Sequence, residues 1–318
     1  MQSTPNVTSN VTSNVTANDT ANDTTNDTTN VTANMTAIHV LGVAAVFSLV
    51  SICARSAYDA GSNALTVITL RIVLLVPVLW LFLKARRAPW RLPSGDRNRA
   101  LALGALLALS TLALNKALEI IPVAIAILIY YTYPLLTSIA SWVTGVERFS
   151  ARVAIALTLA FSGIALTLQV KDESLDITGL TYAIAASAGW GLLMYLTGRS
   201  FHGGDSRPRT LHMMLSAAVL LIATCALTGD VSVPAGLRGW MGFAAVPFLY
   251  GVAIVGTMAA VGAIGAVKAS FYMNFEPVAT IFFSALILDQ HMSPIQLAGA
   301  ALVIVALLIF KSPAAKIG

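Results

Sequence analysis

Long apolar runs alternate with short polar stretches along the chain from residue 38 onward. A helix needs about 20 residues to cross the roughly 30 Å hydrocarbon core of a bilayer. Ten runs of suitable length lie near 38–58, 64–83, 100–119, 122–144, 151–170, 177–198, 210–228, 238–258, 260–288 and 293–311. The break between the eighth and ninth runs is expected around Ala259–Gly265, where glycine and alanine specify a helix weakly. The pattern predicts an all-α protein with ten transmembrane helices.

Residues 1–37 follow a different pattern. Asparagine recurs every four residues from Asn6 to Asn34, and each is followed two positions later by threonine. The segment has almost no apolar surface to bury, so we expect it to be disordered. The Asn-x-Thr triplets have the form of glycosylation sequons, but we interpret them as an unmodified repeat, because loop charges place this end in the cytoplasm. Met35 is an alternative start of translation, since the first apolar run begins three residues later.

Composition supports a membrane protein. Hydrophobic residues make up 57% of the chain, charged residues 10%, and the mean hydropathy is +0.79. Soluble domains carry about 25% charged residues, so a soluble enzyme is excluded. The net charge of +5 does not indicate nucleic-acid binding, because the cations cluster between apolar segments.

The loop cations predict the orientation of the helices. Thirteen lysines and arginines fall in even-numbered connections or after the tenth segment, whereas the opposite side holds Arg55, Lys171 and Arg238. Cytoplasmic loops carry an excess of such cations. We therefore expect a multi-pass protein of the inner (plasma) membrane with both termini in the cytoplasm, including the C-terminal tail 312–318.

The two halves of the chain resemble each other. A shift of 143 residues superposes Pro134 on Pro277 and Ser150 on Ser293. Each half then contains five segments, with a proline midway through the fourth and a polar turn before the fifth. Because five is odd, the second half crosses the membrane in the opposite direction, an architecture frequent among secondary transporters. The predicted repeats are 38–170 and 177–311.

Three segments carry a resemblance to a known family. They read ALNKALEIIPVAIAILIYYTYPLLT with VERFS in the first half, and ITGLTYAIAASAGWGLLMYLTGR and FEPVATIFFSALILDQHMSPIQLAGAALVI in the second. They resemble the EamA domain, the repeated unit of the drug/metabolite transporter (DMT) superfamily. The resemblance implies ten helices around a central cavity and export of small metabolites. The second half departs from the usual glutamate with Asp289-Gln290, and the first helix lacks the usual tryptophan.

Polar residues of the two proline-containing segments are candidates for substrate binding. Pro134 and Pro277 kink their helices, and freed carbonyls in a bilayer are tolerated against other helices or a wet cavity. We expect both helices to face the centre; simple packing kinks are the alternative. Tyr130 and Tyr133 share one helix face, where their hydroxyls meet either a cavity and substrate or a neighbouring helix.

Charged residues inside predicted spans are costly and indicate function by default. Lys268, Tyr272 and Glu276 are spaced i, i+4 and i+8, with Lys268 suited to a carboxylate and Glu276 to an ammonium group or a coupling proton. Mutual neutralisation, or an interfacial position for Lys268, is the alternative. Arg71 pairs with Glu276, contacts an anion or extends to the interface, and Trp190 is expected to line the cavity.

The chain lacks the motifs of nucleotide hydrolysis and of common hydrolases. There is no G-x-x-x-x-G-K-[ST], no H-E-x-x-H and no G-x-S-x-G. His202 and Asp205 are read as turn residues rather than a metal pair, and Cys53 and Cys225 as packing residues. We expect no enzymatic activity, cofactor or metal.

The sequence-based hypothesis is a secondary transporter that exports amino-acid-like metabolites by alternating access. Its expected partners are a small-molecule metabolite, the lipid bilayer, a coupling proton and, as an open alternative, a second copy in a homodimer. A nucleotide-sugar or organic-phosphate carrier is the rival, but it requires several cations in the cavity. An intramembrane enzyme needs a catalytic cluster at one interface, which is not visible.

Overall fold

The computed structural model describes residues 37–148, 150–169, 176–201, 205–288 and 291–311. All ten predicted segments form helices, the fourth and the ninth each as two pieces. The helices are α1 (Ala37–Asp59), α2 (Ala64–Ala85), α3 (Ser94–Ile120), α4 (Val123–Tyr130), α5 (Tyr133–Val143), α6 (Ala151–Leu168), α7 (Ile177–Ser200), α8 (Ser206–Thr228), α9 (Gly236–Ile264), α10 (Ala266–Tyr272), α11 (Phe275–Leu288) and α12 (Pro294–Lys311). The Asn/Thr repeat, His202, Asp289-Gln290 and the segment 312–318 lie outside the described residues.

The apolar helices confirm the prediction of a membrane protein. Eight of them are long and apolar enough to cross a bilayer when α4 and α5 are counted together, and α12 is a shorter apolar helix. Large apolar side chains point outward from the bundle: Val219 is 59% exposed, Phe248 63% and Val252 61%. A surface of this kind is stable against lipid rather than water.

Short polar motifs set the helix ends. The Asn63 side chain accepts the Thr66 amide and caps α2, and Asp205 accepts the Arg207 amide and starts α8 four residues earlier than the apolar pattern indicates. Gly265, with φ 86°, separates α9 from α10 at the edge of the predicted break. This conformation suits glycine because a Cβ would be strained there.

The fourth and ninth spans are broken rather than merely kinked. Pro134 stands in the first turn of α5 and Pro277 in the first turn of α11. A proline there needs no amide partner, because the first-turn amides have none within the helix. The backbone at the breaks tightens instead: the Thr132 amide donates to the Ile129 carbonyl at 3.0 Å, and the Asn274 amide to Phe271 at 3.1 Å.

The helix packing has the pairings expected of a duplicated bundle. Under the 143-residue shift α2 corresponds to α8 and α6 to α12, and both pairs are in contact. Helix α3 packs on α7, and α9 correspondingly lies close to α1, where a Cβ added to Gly242 would lie 2.6 Å from the Cys53 carbonyl oxygen. Because each half contributes five spans, the two copies have opposite orientations.

Glycines bring α6 and α12 into close contact. A Cβ added to Gly163 would lie 2.8 Å from the Gly299 carbonyl oxygen, and one added to Gly299 would lie 2.6 Å from the Gly163 carbonyl oxygen. Small residues at helix interfaces allow such backbone approach in membranes. The fifth spans of the two halves, α6 and α12, therefore pack in close backbone contact at these glycines.

At one end of the bundle, connections of the two halves are hydrogen-bonded to each other. The α1–α2 connection binds the α8–α9 connection: Ser62 donates to the Ser232 carbonyl at 2.8 Å, and the Asn63 side chain donates to the Asp230 carboxylate at 2.6 Å. The Ala235 amide also donates to the Ala60 carbonyl at 2.7 Å. These hydrogen bonds join the halves at the end opposite the α7–α8 connection.

Candidate functional site

The two helix breaks bring equivalent residues of the two halves together. Tyr133 precedes Pro134, Glu276 precedes Pro277, and the 143-residue shift superposes the two pairs. Helix α5 contacts α10, and the charge of Glu276 acts on the Tyr133 hydroxyl. The two side chains therefore lie near each other, in a region that both halves contribute to.

Aromatic rings form one wall of this region. The Tyr130 ring centroid lies 5.6 Å from that of Tyr133 and 5.9 Å from that of Tyr131. Trp190, from α7, lies 6.4 Å from Tyr130 and 6.3 Å from Tyr133. The Trp190 and Tyr133 rings meet edge to face, with an interplanar angle of 83°. These rings supply a rigid surface with polar edges.

Arg71, on α2, supplies a positive charge to this region. The Arg71 guanidinium carbon lies 4.3 Å from the centroid of the Tyr250 ring, in cation–π geometry. Its Nε atom is buried and has no hydrogen-bond partner. Among the described residues, Arg71 forms no salt bridge with Glu276. The guanidinium is therefore held by an aromatic face while part of its donor capacity is unused.

The negative charge is Glu276, in the first turn of α11. The Tyr131 hydroxyl lies near its carboxylate, and Arg71 acts on that carboxylate electrostatically. Arg71 also acts on Tyr130 and Tyr250. We define the central cluster as the group that these contacts connect: Arg71, Tyr130, Tyr131, Tyr133, Trp190, Tyr250 and Glu276.

Two predicted site residues lie apart from the central cluster. Lys268 is exposed on α10 and acts electrostatically on Glu147, in the α5–α6 connection. Tyr272 packs against α12, with its ring 5.6 Å from Phe310 in an edge-to-face contact. The i, i+4, i+8 stripe is interrupted because the helix breaks between Tyr272 and Glu276.

Two members of the cluster were missed as candidates. Helical spacing puts Tyr131 beside the face of Tyr130 and Tyr133, but α4 ends at Tyr130 and the Tyr131 ring packs against both. Tyr250 is 2% exposed in the middle of α9. The rule that a tyrosine inside a membrane needs a polar partner would have selected it.

The described residues contain no group of three His, Cys, Asp or Glu side chains arranged to hold a metal ion. Cys53 and Cys225 are free thiols, and Cys225 is 3.2 Å from the Thr69 hydroxyl. Asp205 caps α8 and binds Arg207 at 2.6 Å. Its side chain thus has a structural role.

Comparison with known proteins agrees with this architecture. The sequence model of the EamA-like transporter family matches residues 34–169 and again residues 177–311. The chain belongs to the EamA-like transporter family. It is therefore a membrane transporter of the DMT superfamily rather than an enzyme, and the two matches reflect its duplicated helical arrangement.

A solved structure has the same fold as this EamA-like transporter. That crystal structure aligns with a TM-score of 0.74 and 17% sequence identity, covering 86% of this chain and 96% of its own. At this identity the likeness shows the fold alone. No curated protein matches the chain in sequence. Family membership implies a lipid bilayer and a small-molecule substrate.

Proposed function

We propose that this EamA-like transporter exports a small zwitterionic metabolite of the amino-acid type, and that the central cluster binds it. One observation carries the proposal. Arg71 and Glu276 face the same cluster with opposite charges, yet they form no salt bridge with each other. A zwitterion bound between them satisfies both, with its carboxylate on Arg71 and its ammonium group on Glu276.

The aromatic residues support a substrate with an apolar part. Tyr130, Tyr133 and Trp190 offer ring faces and edges beside the charges, and Trp190 is only 9% exposed. Ligand sites generally combine such apolar walls with a few placed polar groups. An amino acid with a hydrophobic side chain matches this combination.

Transport would proceed by alternating access, with the repeats 38–170 and 177–311 moving about the central cluster. The hydrogen bonds of Ser62 and Asn63 with the α8–α9 connection support one closed end. The loop cations favour assigning that end to the outside and the termini to the cytoplasm. In this assignment the protein lies in the inner (plasma) membrane.

Glu276 is the candidate for a coupling proton. It is an ionisable carboxylate inside a span, which is the usual position of proton relays in transporters. Tyr131 and Arg71 compete for the same carboxylate as a substrate ammonium group. Protonation would then release the ammonium group, which links proton binding to substrate release.

The organic-phosphate alternative requires several cations around the substrate. Arg71 is the cation of the central cluster, and Lys268 lies on α10 beside Glu147 instead. The arrangement of the described charges therefore favours a carboxylate over a phosphate.

Counterflow in proteoliposomes tests the proposal. Vesicles loaded with unlabelled L-phenylalanine should accumulate labelled L-phenylalanine, and vesicles loaded with inorganic phosphate should not accumulate labelled phosphate. Arg71→Gln and Glu276→Gln should each reduce the exchange by about 10-fold or more. Arg55→Gln and Glu119→Gln are matched controls, because these side chains are exposed and pair within their own helices. Phosphate exchange without phenylalanine exchange would overturn the proposal.

A further inference from the structure

A cavity lies apart from the central cluster, where α7 ends, α8 begins and α9 ends. Its volume is about 220 Å³, and its walls include Thr197, Phe201, Arg209, Thr210, Met258 and Gly262. A single water needs about 10–15 Å³ of such space. The cavity is therefore large enough for a small organic molecule.

One wall carries a polar atom without a partner. Thr197 is 4% exposed, it lines the cavity, and its hydroxyl oxygen has no hydrogen-bond partner. A buried hydroxyl left without a hydrogen bond is energetically unfavourable. A bound ligand with a hydrogen-bonding group removes this cost.

Arg209 supplies a positive charge to the wall of the same cavity. The Arg209 guanidinium carbon lies 4.5 Å from the centroid of the Phe201 ring, so the ring fixes the position of the charge at the wall. Arg209 also acts electrostatically on Asp205, at the start of α8. Phe201 and Met258 complete an apolar lining beside these polar groups.

The cavity lies in line with the central cluster. Thr197 follows Trp190 by seven residues on α7, which puts both on one helix face about 10 Å apart. The cavity is thus about two helical turns nearer the α7–α8 connection. Loop charges favour the cytoplasm for that connection.

We infer that this cavity is a first binding site for the substrate. It binds the carboxylate of a substrate molecule that enters from the cytoplasm, before that molecule reaches the central cluster. The carboxylate lies against Arg209 and accepts a hydrogen bond from Thr197, while the apolar part contacts Phe201 and Met258. The inference rests on the proposed function for the identity of the substrate as an organic carboxylate.

Protection of one engineered thiol measures binding in this cavity without transport. Cys53 and Cys225 are replaced by alanine, and Gly262→Cys places a thiol on the wall, where an added Cβ meets only the Phe201 carbonyl at 4.0 Å. L-phenylalanine should slow maleimide labelling of this thiol in nanodiscs, and L-phenylalaninamide, which lacks the carboxylate, should not. Arg209→Gln should raise the half-protecting concentration about tenfold or more, because charge-assisted hydrogen bonds contribute at least that factor.

Further variants separate the possible outcomes. Thr197→Val should raise the half-protecting concentration severalfold, whereas Thr224→Val should not, because that hydroxyl is satisfied by the Leu220 carbonyl at 2.9 Å. Glu276→Gln should leave protection intact while reducing counterflow by about 10-fold or more. If protection were lost in Glu276→Gln but kept in Arg209→Gln, the inference would be wrong. The protecting molecule would then bind at the central cluster, and the proposed function would remain.

Two further outcomes of the labelling experiment distinguish the inference from the proposed function. Protection by anionic phosphatidylglycerol in the nanodisc, with no effect of L-phenylalanine, would assign the cavity to a lipid phosphate and overturn the inference. Protection by L-phenylalanine in a protein that shows no counterflow would keep the carboxylate site and refute the proposed transport.

Discussion

Tyr133 and Glu276 occupy the same position in the two halves of the protein, each directly before the proline in the first turn of a half-helix. The charge of Glu276 acts electrostatically on the Tyr133 hydroxyl, so these two equivalent positions lie near each other. The duplication has kept the backbone break in both halves and has placed an acid in only one of them. The two halves therefore share the backbone break but differ in charge at this position. In the proposed function, this difference would give the bound zwitterion a defined orientation.

Glu276→Gln should reduce phenylalanine counterflow by about 10- to 100-fold, because it removes a charge-assisted contact worth roughly 1.5–3 kcal/mol. It should also remove any dependence of exchange on pH between 5 and 8. Initial rates across this pH range measure both effects. Unchanged rate and unchanged pH profile would exclude Glu276 from binding and coupling.

Locking the closed end should stop transport. Asn63→Cys with Asp230→Cys, in a background without native cysteines, joins the α1–α2 and α8–α9 connections through a short thiol cross-linker, since the native side chains are hydrogen-bonded. Cross-linking should abolish counterflow. Arg55→Cys with Asp59→Cys, which lie one turn apart within α1, is the control and should retain it. Full activity of the cross-linked Asn63/Asp230 variant would show that this end need not open.

Gly163→Ala should lower the stability of the bundle by about 1–3 kcal/mol, because the added Cβ overlaps the α12 backbone. Gly42→Ala is the matched control in another helix, since nothing lies within 4 Å of its added Cβ, and it should be neutral or slightly stabilising. Thermal unfolding in detergent compares the two. Equal midpoints would show that α6 and α12 do not depend on their close approach.

The α5–α6 connection should make stability depend on pH. Burial raises the pKa of the Glu147 carboxyl above its ordinary value of 4.5, and Lys268 opposes the shift. A carboxyl with a raised folded pKa favours the folded state while protonated, so its contribution is lost as the pH rises from the unfolded pKa through the folded one. Glu147→Gln should reduce the loss of thermal stability above pH 4.5, and Lys268→Gln should enlarge it. Parallel pH profiles in all three proteins would contradict this account.

The span pattern was predictable from the sequence because apolar length alone specifies a membrane helix. The break at Gly265 and the equivalent prolines in the two halves agree with the predictions. These features depend on local properties: run length, glycine and proline chemistry, and helical spacing.

Long-range geometry was not predictable. Helical spacing placed Lys268 and Glu276 on one face, but the backbone turn between α10 and α11 separates them. Arg71 had three possible environments in the sequence, and only packing against Tyr250 of α9 distinguishes among them. The cavity beside Thr197 likewise depends on how three helix ends meet, which no local pattern reveals.

Competition with substrate analogues tests most directly whether Arg71 and Glu276 bind opposite ends of one molecule. Labelled L-phenylalanine counterflow is measured against phenylalaninamide, which lacks the carboxylate, and N-acetylphenylalanine, which lacks the ammonium group. In the wild-type protein L-phenylalanine should compete far better than either analogue. Direct binding in detergent should then show that Arg71→Gln no longer distinguishes phenylalanine from its amide, and that Glu276→Gln no longer distinguishes phenylalanine from its N-acetyl form. Retention of both preferences in both variants would contradict the account.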